Sequence, residues 1–276
     1  MVEIKAKNIN VALGRNLVLN NINLEVASNK MTAIIGPNGS GKSTLLKSLA
    51  GLVKPNSGEI LIGNQSINSY SRKQLAKKIA FLMQNPEAPE DITVRELVSL
   101  GRYSYQAWMG LKALDYAKID WAIKQVDLEG QRNEPLANLS GGQRQRAWIA
   151  LALAQDSDCI LLDEPTTFLD IRHQLETLYL LRQLNLHAAK TIVIVLHDIQ
   201  QVIKFADYLV IIDQGRIVYH DKITAAIDTH IFEQVFGVKV KLFLNENHEI
   251  MVTIPEIADI PSPREAWGKA RMGGGC

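Results

Sequence analysis

Two glycine-rich stretches and a few polar residues at strand ends carry the chemistry of this sequence. The first stretch is Gly36, Pro37, Asn38, Gly39, Ser40, Gly41, Lys42, Ser43 and Thr44. Its glycines leave the backbone bare, so N–H groups can curl around phosphate oxygens where side chains would block approach. A helix starting at Lys42 turns its positive N-terminal end toward the same charge. Lys42 brings an ammonium to the outer phosphates, Ser43 a hydroxyl suited to Mg2+, and Thr44 a further phosphate contact. The second stretch is Leu139, Ser140, Gly141, Gly142 and Gln143. It is another glycine-rich helix start, with a hydroxyl and bare N–H groups but no lysine. Both stretches can grip one phosphate group only if they meet in space.

Cys159–Leu162 is an apolar strand that ends in Asp163 and Glu164. Carboxylates at such a strand end face the ligand crevice of an α/β sheet. Asp163 is placed to hold Mg2+, and Glu164 to polarise an attacking water as general base. A solvated acidic pair at a strand end would read the same way, although the Pro165-Thr166-Thr167 that follows weighs against it. Gln84 follows a short strand and precedes Asn85-Pro86; its amide can reach Mg2+ or its water and report outward through the helical insert, or simply serve a turn. His197 follows the strand at 191–196, where an imidazole can hydrogen-bond a γ-phosphate or simply open a helix. His173, His187, His220, His230 and His248 have no convergent partners in the sequence and are assigned no role.

The surrounding elements suit this chemistry. Alternating apolar residues at 4–8 and 18–26 predict antiparallel strands turning near Gly14-Arg15-Asn16. Met31–Ile35 predicts a buried strand entering the first loop, and Lys42–Ala50 a helix stopped at Gly51. Further strands are predicted at Gly58–Ile62 and Ile79–Met83. From Thr93 to about Gly130 the pattern is helical, opened by a capping box, Thr93-Val-Arg-Glu96. Ser140 caps a helix running to about Ala154. Helices at Ile171–Leu184 and Asp198–Phe205 and a hairpin at Tyr208–Tyr219, turning at Gln214-Gly215, complete the pattern. Beyond Asp221 only one helix, Thr229–Phe236, and weak strands are expected.

Composition narrows the class. The chain has 276 residues, 47% hydrophobic and 21% charged, with a net charge of +1. This balance gives no support to nucleic-acid binding. No apolar run approaches the roughly twenty residues of a membrane span, and the first residues do not read as a signal peptide. Cys159 reads as a small buried hydrophobe. Cys276 stands in a Met272–Cys276 tail that reads as disordered.

The five elements in this order, namely the phosphate loop, Gln84, Leu139–Gln143, Asp163-Glu164 and His197, resemble the ATPases of ABC transporters. The resemblance covers residues 1 to about 220, and Thr166–Asp170 matches the family's D-loop. It implies an α/β fold: a P-loop NTPase core with an antiparallel β subdomain and an inserted helical subdomain at about 86–155, then a C-terminal extension at 222–276. It also implies a head-to-tail homodimer holding ATP and Mg2+ between one subunit's Lys42 loop and the other's Ser140–Gln143, with Asp170 at the subunit contact. Implied partners are integral-membrane permease subunits, which dock near Gln84 and the helical insert, and a periplasmic or surface substrate-binding protein. The expected location is the cytoplasmic face of the cell membrane. Asp91–Val98, Gly101-Arg102-Tyr103, Leu139–Ala147 and Thr166–Gln174 are most similar to importer ATPases for iron(III)–siderophore complexes, with vitamin B12 and haem importers nearby. A soluble ABC protein acting on nucleic acid is the rival of another class; the single cassette and near-zero charge speak against it. A P-loop kinase is opposed by Leu139–Gln143. One departure stands out. Leu13 occupies the place of the family's adenine-stacking aromatic, so base discrimination is expected to be weak, with only apolar contact or an Arg15 cation–π contact to replace the stacking.

Overall fold

The structure is a computed structural model that describes residues 3–106, 110–224, 227, 229–246 and 250–257. His248 and the Met272–Cys276 tail lie outside the described residues. Strands β1 (Ile4–Leu13) and β2 (Asn16–Val26) form a hairpin around Gly14 and Arg15. They join β4 (Ser57–Ile62) and β5 (Gln65–Ser66) in an antiparallel sheet of order β2-β1-β4-β5.

A second sheet holds β3 (Met31–Ile35), β6 (Ile79–Leu82), β7 (Cys159–Leu162), β8 (Thr191–Val195), β9 (Tyr208–Asp213) and β10 (Arg216–Lys222). Its order is β10-β9-β3-β8-β7-β6, parallel except for the edge hairpin β9–β10. Strands β3, β7 and β8 are buried along their whole length, because the sheet is covered on both faces. Alternate residues feed two cores. Ile34, Leu161, Val193, Val195 and Val210 pack with Leu45, Leu46 and Leu49 of α1 (Lys42–Leu49) and with the antiparallel sheet. Ala33, Ile160, Leu162, Ile192, Ile194 and Leu209 face the other helices. Cys159 is fully buried in the first of these cores, and burial pushes its thiol well above the ordinary range.

The other helices are α2 (Arg72–Ala76), α3 (Val94–Leu100), α4 (Ala113–Gln125), α5 (Gly141–Ala154), α6 (Ile171–His187), α7 (Ile199–Phe205) and α8 (His230–Phe236). The Thr93–Glu96 capping box opens α3 as its sequence predicts. Short α2 is opened by an unpredicted box in which Ser71 and Gln74 cap each other. Helices α3, α4 and α5 pack together between β6 and β7 in the chain. After β10 come α8 and the hairpin β11 (Val238–Leu244) with β12 (Ile250–Ile257). Phe232, Val240 and Val252 from this segment are buried in the helix-side core.

Candidate functional site

The strand order explains how residues distant in sequence meet. The phosphate loop leaves the end of β3, Gln84 follows β6, Asp163-Glu164 follow β7, and His197 follows β8. These four strands are neighbours and parallel, so their C-terminal ends form one crevice. Asp163 N–H donates to Leu82 O at 2.9 Å and Leu196 N–H to Ile34 O at 3.1 Å, which fixes neighbouring strand ends level with one another.

Each glycine of the first loop serves a different need. Gly39 stands at φ 77° with open space around it, so its place demands backbone freedom. Gly41 at φ 106° caps α1 and lies so close to β2 that a Cβ would fall 2.8 Å from Leu19 Cδ2. At Gly36 a Cβ would fall 2.1 Å from the Ile212 carbonyl oxygen. Gly36 is therefore set by packing against β9, and not only by access to phosphate as its motif suggests.

Lys42 is 5% exposed, and its Nζ donates to the carbonyls of Gly36 and Pro37, each at 2.9 Å. Burial lowers its affinity for a proton, partly offset by the charges of Glu164 and Asp163. The hydroxyl of Ser40 is buried in the same loop without a hydrogen-bond partner, an unfilled donor where phosphate oxygens fit. Ser43 Oγ donates to Asp163 Oδ1 at 3.0 Å. Burial and the neighbouring Glu164 hold the Asp163 carboxyl above its usual range, outweighing the Ser43 hydrogen bond. A hydroxyl and a carboxylate side by side offer the hard oxygens that Mg2+ takes alongside water and substrate phosphates. Among the described residues no three His, Cys, Asp or Glu side chains converge on a metal; the fit to such an ion rests on the adjacent Ser43 hydroxyl and Asp163 carboxylate.

Glu164 is the hub of the crevice. It stands at φ 51°, in the left-handed region, where a non-glycine residue is strained. His197 Nε2 lies 2.6 Å from Glu164 Oε1. The Gln84 amide and the Thr167 hydroxyl both donate to Oε2, Thr167 at 3.1 Å. The sequence places Gln84 and His197 near Mg2+ and the γ-phosphate; in the structure both meet on the carboxylate expected to be the base. That shared hub is not legible in the sequence. Thr167, in the segment after Glu164, joins it unpredicted.

The second glycine-rich stretch stands apart. Ser140 Oγ accepts from Gln143 N–H at 3.2 Å and Gln143 Oε1 accepts from Ser140 N–H at 3.0 Å, a reciprocal cap on α5. Ser140 and Gly141 are exposed. Among the described residues no hydrogen bond or ion pair joins 140–143 to the phosphate loop, Asp163 or Glu164. A Cβ at Gly141 would meet nothing, whereas one at Gly142 would fall 2.3 Å from His173 Cδ2. His173, to which the sequence assigns no role, thus has both a packing partner and an acid, Asp170 Oδ2 at 2.9 Å from Nδ1. At the tip of the β1–β2 hairpin, Leu13 and Leu17 are about half exposed, at 51% and 56%.

Comparison with known proteins matches residues 19–167 to a family described as ABC transporter. The chain is 42% identical over 240 residues to the petrobactin import ATP-binding protein FpuD of Bacillus anthracis, covering 87% of this chain and 88% of that protein. It is 37% identical to the iron(3+)-hydroxamate import ATP-binding protein FhuC of Bacillus subtilis, covering 88% and 90%. Among solved structures, a dimeric ATP-binding cassette in a post-hydrolysis state with ADP and Pi superposes with a TM-score of 0.70 at 32% identity, covering 80% of this chain and 99% of that one.

Proposed function

We propose, from the premise that this chain belongs to the ABC transporter family and is an ATP-binding ATPase, that it is the energy-coupling subunit of an importer for iron(III)–siderophore complexes. The observation that carries the ATPase mechanism is the division of the site. The phosphate loop, Gln84, Asp163, Glu164 and His197 share one crevice, while the Ser140–Gln143 turn is self-capped elsewhere with Ser140 and Gly141 exposed. A phosphate held by both needs a second copy of the chain, head to tail, with Asp170 at the contact. The substrate class rests on the import proteins for petrobactin and iron(3+)-hydroxamate that the chain resembles.

In this reading Gly36, Asn38, Gly39, Ser40, Gly41 and Thr44 bind the phosphates through backbone N–H groups and hydroxyls, and Pro37, which has no N–H, shapes the turn between them. Lys42 exchanges its loop carbonyls for phosphate oxygens. Ser43, Asp163 and Gln84 would hold Mg2+, which when bound would neutralise charge on the phosphates. Glu164 polarises the attacking water once His197 turns from Oε1 to the γ-phosphate. The partner's helix α5 presents Ser140, Gly141, Gly142 and Gln143. No described helix is long and apolar enough to cross a membrane, so attachment to the cytoplasmic face falls to permease subunits, with a substrate-binding protein delivering the cargo.

Two measurements test this. The Glu164→Gln chain is expected to sediment as a dimer with MgATP and as a monomer without it; a monomer in both would refute the shared site. Cells carrying Lys42→Ala are expected to lose uptake of labelled ferric siderophore but keep uptake of vitamin B12 and haem. Loss of either of those instead reassigns the cargo.

A further inference from the structure

The two glycines of the second stretch differ in a way the sequence does not show. Gly141 has nothing around its absent Cβ, which suits close approach by a ligand. Gly142 is buried, its φ is not positive, and the space a Cβ would take is filled by the His173 ring, with Cδ2, Cγ and Nε2 at 2.3, 2.8 and 3.0 Å. An imidazole of the same chain therefore already demands glycine at 142, where backbone conformation does not.

The imidazole is itself held. Its Nδ1 lies 2.9 Å from Asp170 Oδ2, and its backbone N–H donates to Asp170 Oδ1 at 2.9 Å. The next residue, Gln174, donates through Nε2 to Leu169 O at 3.0 Å and accepts from Gln201 Nε2 at 2.8 Å. The first turn of α6 is thus tied to Leu169-Asp170 on one side and to α7, which begins two residues after His197, on the other. From this frame the ring bears on the first turn of α5, which carries Ser140.

We propose that His173 is a positioning residue that seats the Ser140–Gln143 turn for the phosphate of the opposing subunit, and that residue 142 is glycine to receive its ring. This rests on the head-to-tail ATPase reading above. His173 touches no reacting atom; it acts by fixing where Ser140 and the N–H of Gly141 point. A shift of a fraction of an ångström there matters because positioning errors of about 1 Å cost on the order of a hundredfold in rate.

The test uses the full chain and a double-mutant cycle. His173→Ala is expected to lower kcat by about tenfold or more and to weaken MgATP-driven dimerisation in the Glu164→Gln background. Its affinity for ATP as a monomer and its melting temperature should stay as in the parent, since the Lys42 loop lies elsewhere. Gly142→Ala alone should lose activity at least as severely. In the His173→Ala background, where all three crowding atoms are gone, Gly142→Ala should cost little more, within about threefold. Full activity of His173→Ala overturns the proposal. So does an undiminished cost of Gly142→Ala in that background, and so does a fall in ATP affinity and melting temperature together with activity, which marks a merely structural role. Failure of Glu164→Gln itself to dimerise would instead refute the shared-site reading on which the proposal rests.

Discussion

Replacing Arg102 by methionine breaks the most deeply buried ion pair among the described residues. Arg102 and Asp115 are 3% and 7% exposed. Arg102 donates from Nε and Nη2 to Asp115 Oδ1 at 3.0 and 2.8 Å, and from Nη1 to the Ala154 carbonyl at 2.9 Å. Its guanidinium lies 3.7 Å from the centre of the Tyr105 ring. The side chain therefore joins the end of α3, the start of α4 and the end of α5. Methionine fills similar space and donates nothing, so Asp115 keeps only the Lys112 N–H at 2.9 Å. Removing one partner of a buried pair costs about 3–5 kcal/mol. At about 2–4 °C per kcal/mol for a large domain, the melting temperature should fall by about 6–20 °C.

The pH dependence has a definite sign. The Lys112 N–H and Arg102 hold the Asp115 carboxyl below its usual range, against the opposing effect of burial. The stability it confers is complete above the unfolded carboxylate pKa of about 4 and is lost as pH falls through the lower folded value. The Arg102→Met chain should thus trail the parent most near about pH 7 and least once pH has fallen below the depressed folded value of the parent, where Asp115 is protonated in both. Thermal unfolding followed by far-ultraviolet circular dichroism reads both effects. Adding Asp115→Asn to Arg102→Met removes the stranded charge and keeps an acceptor for Lys112, so it should restore a good part of the loss. A cost below about 1 kcal/mol at neutral pH, or no recovery on the second change, would refute the reasoning.

Two further outcomes concern the nucleotide. Leu13→Tyr, at an exposed site on the β1–β2 hairpin, should tighten ATP binding by about 0.5–1.5 kcal/mol through stacking, while the parent binds ATP and GTP within about tenfold of each other; strong ATP preference in the parent would mean another residue reads the base. Gly36→Ala drives a Cβ to within 2.1 Å of the Ile212 carbonyl oxygen, a backbone atom that cannot swing aside, so calorimetry should show ATP affinity down by more than about tenfold and stability down by about 1–3 kcal/mol; unchanged affinity would show that β9 yields freely.

The parts legible in the sequence are those decided by neighbours along the chain. A phosphate loop needs its glycines, lysine and serine within nine positions, so Gly36–Thr44 declares itself. The caps at Thr93–Glu96 and Ser140–Gln143 are likewise local hydrogen-bonding facts. Alternation and apolar runs mark the strands, because burial on one or both faces leaves a period. What tertiary structure alone decided is which strand ends stand side by side. The order β3-β8-β7-β6 brings Gln84 and His197 onto the Glu164 carboxylate across separations that no local pattern encodes. The same holds for Arg102 with Asp115 and for His173 against Gly142. In each case one side chain is judged by space or charge supplied from another element. Sequence spacing carries no record of that until the chain has packed, since close packing, not covalent proximity, sets those distances.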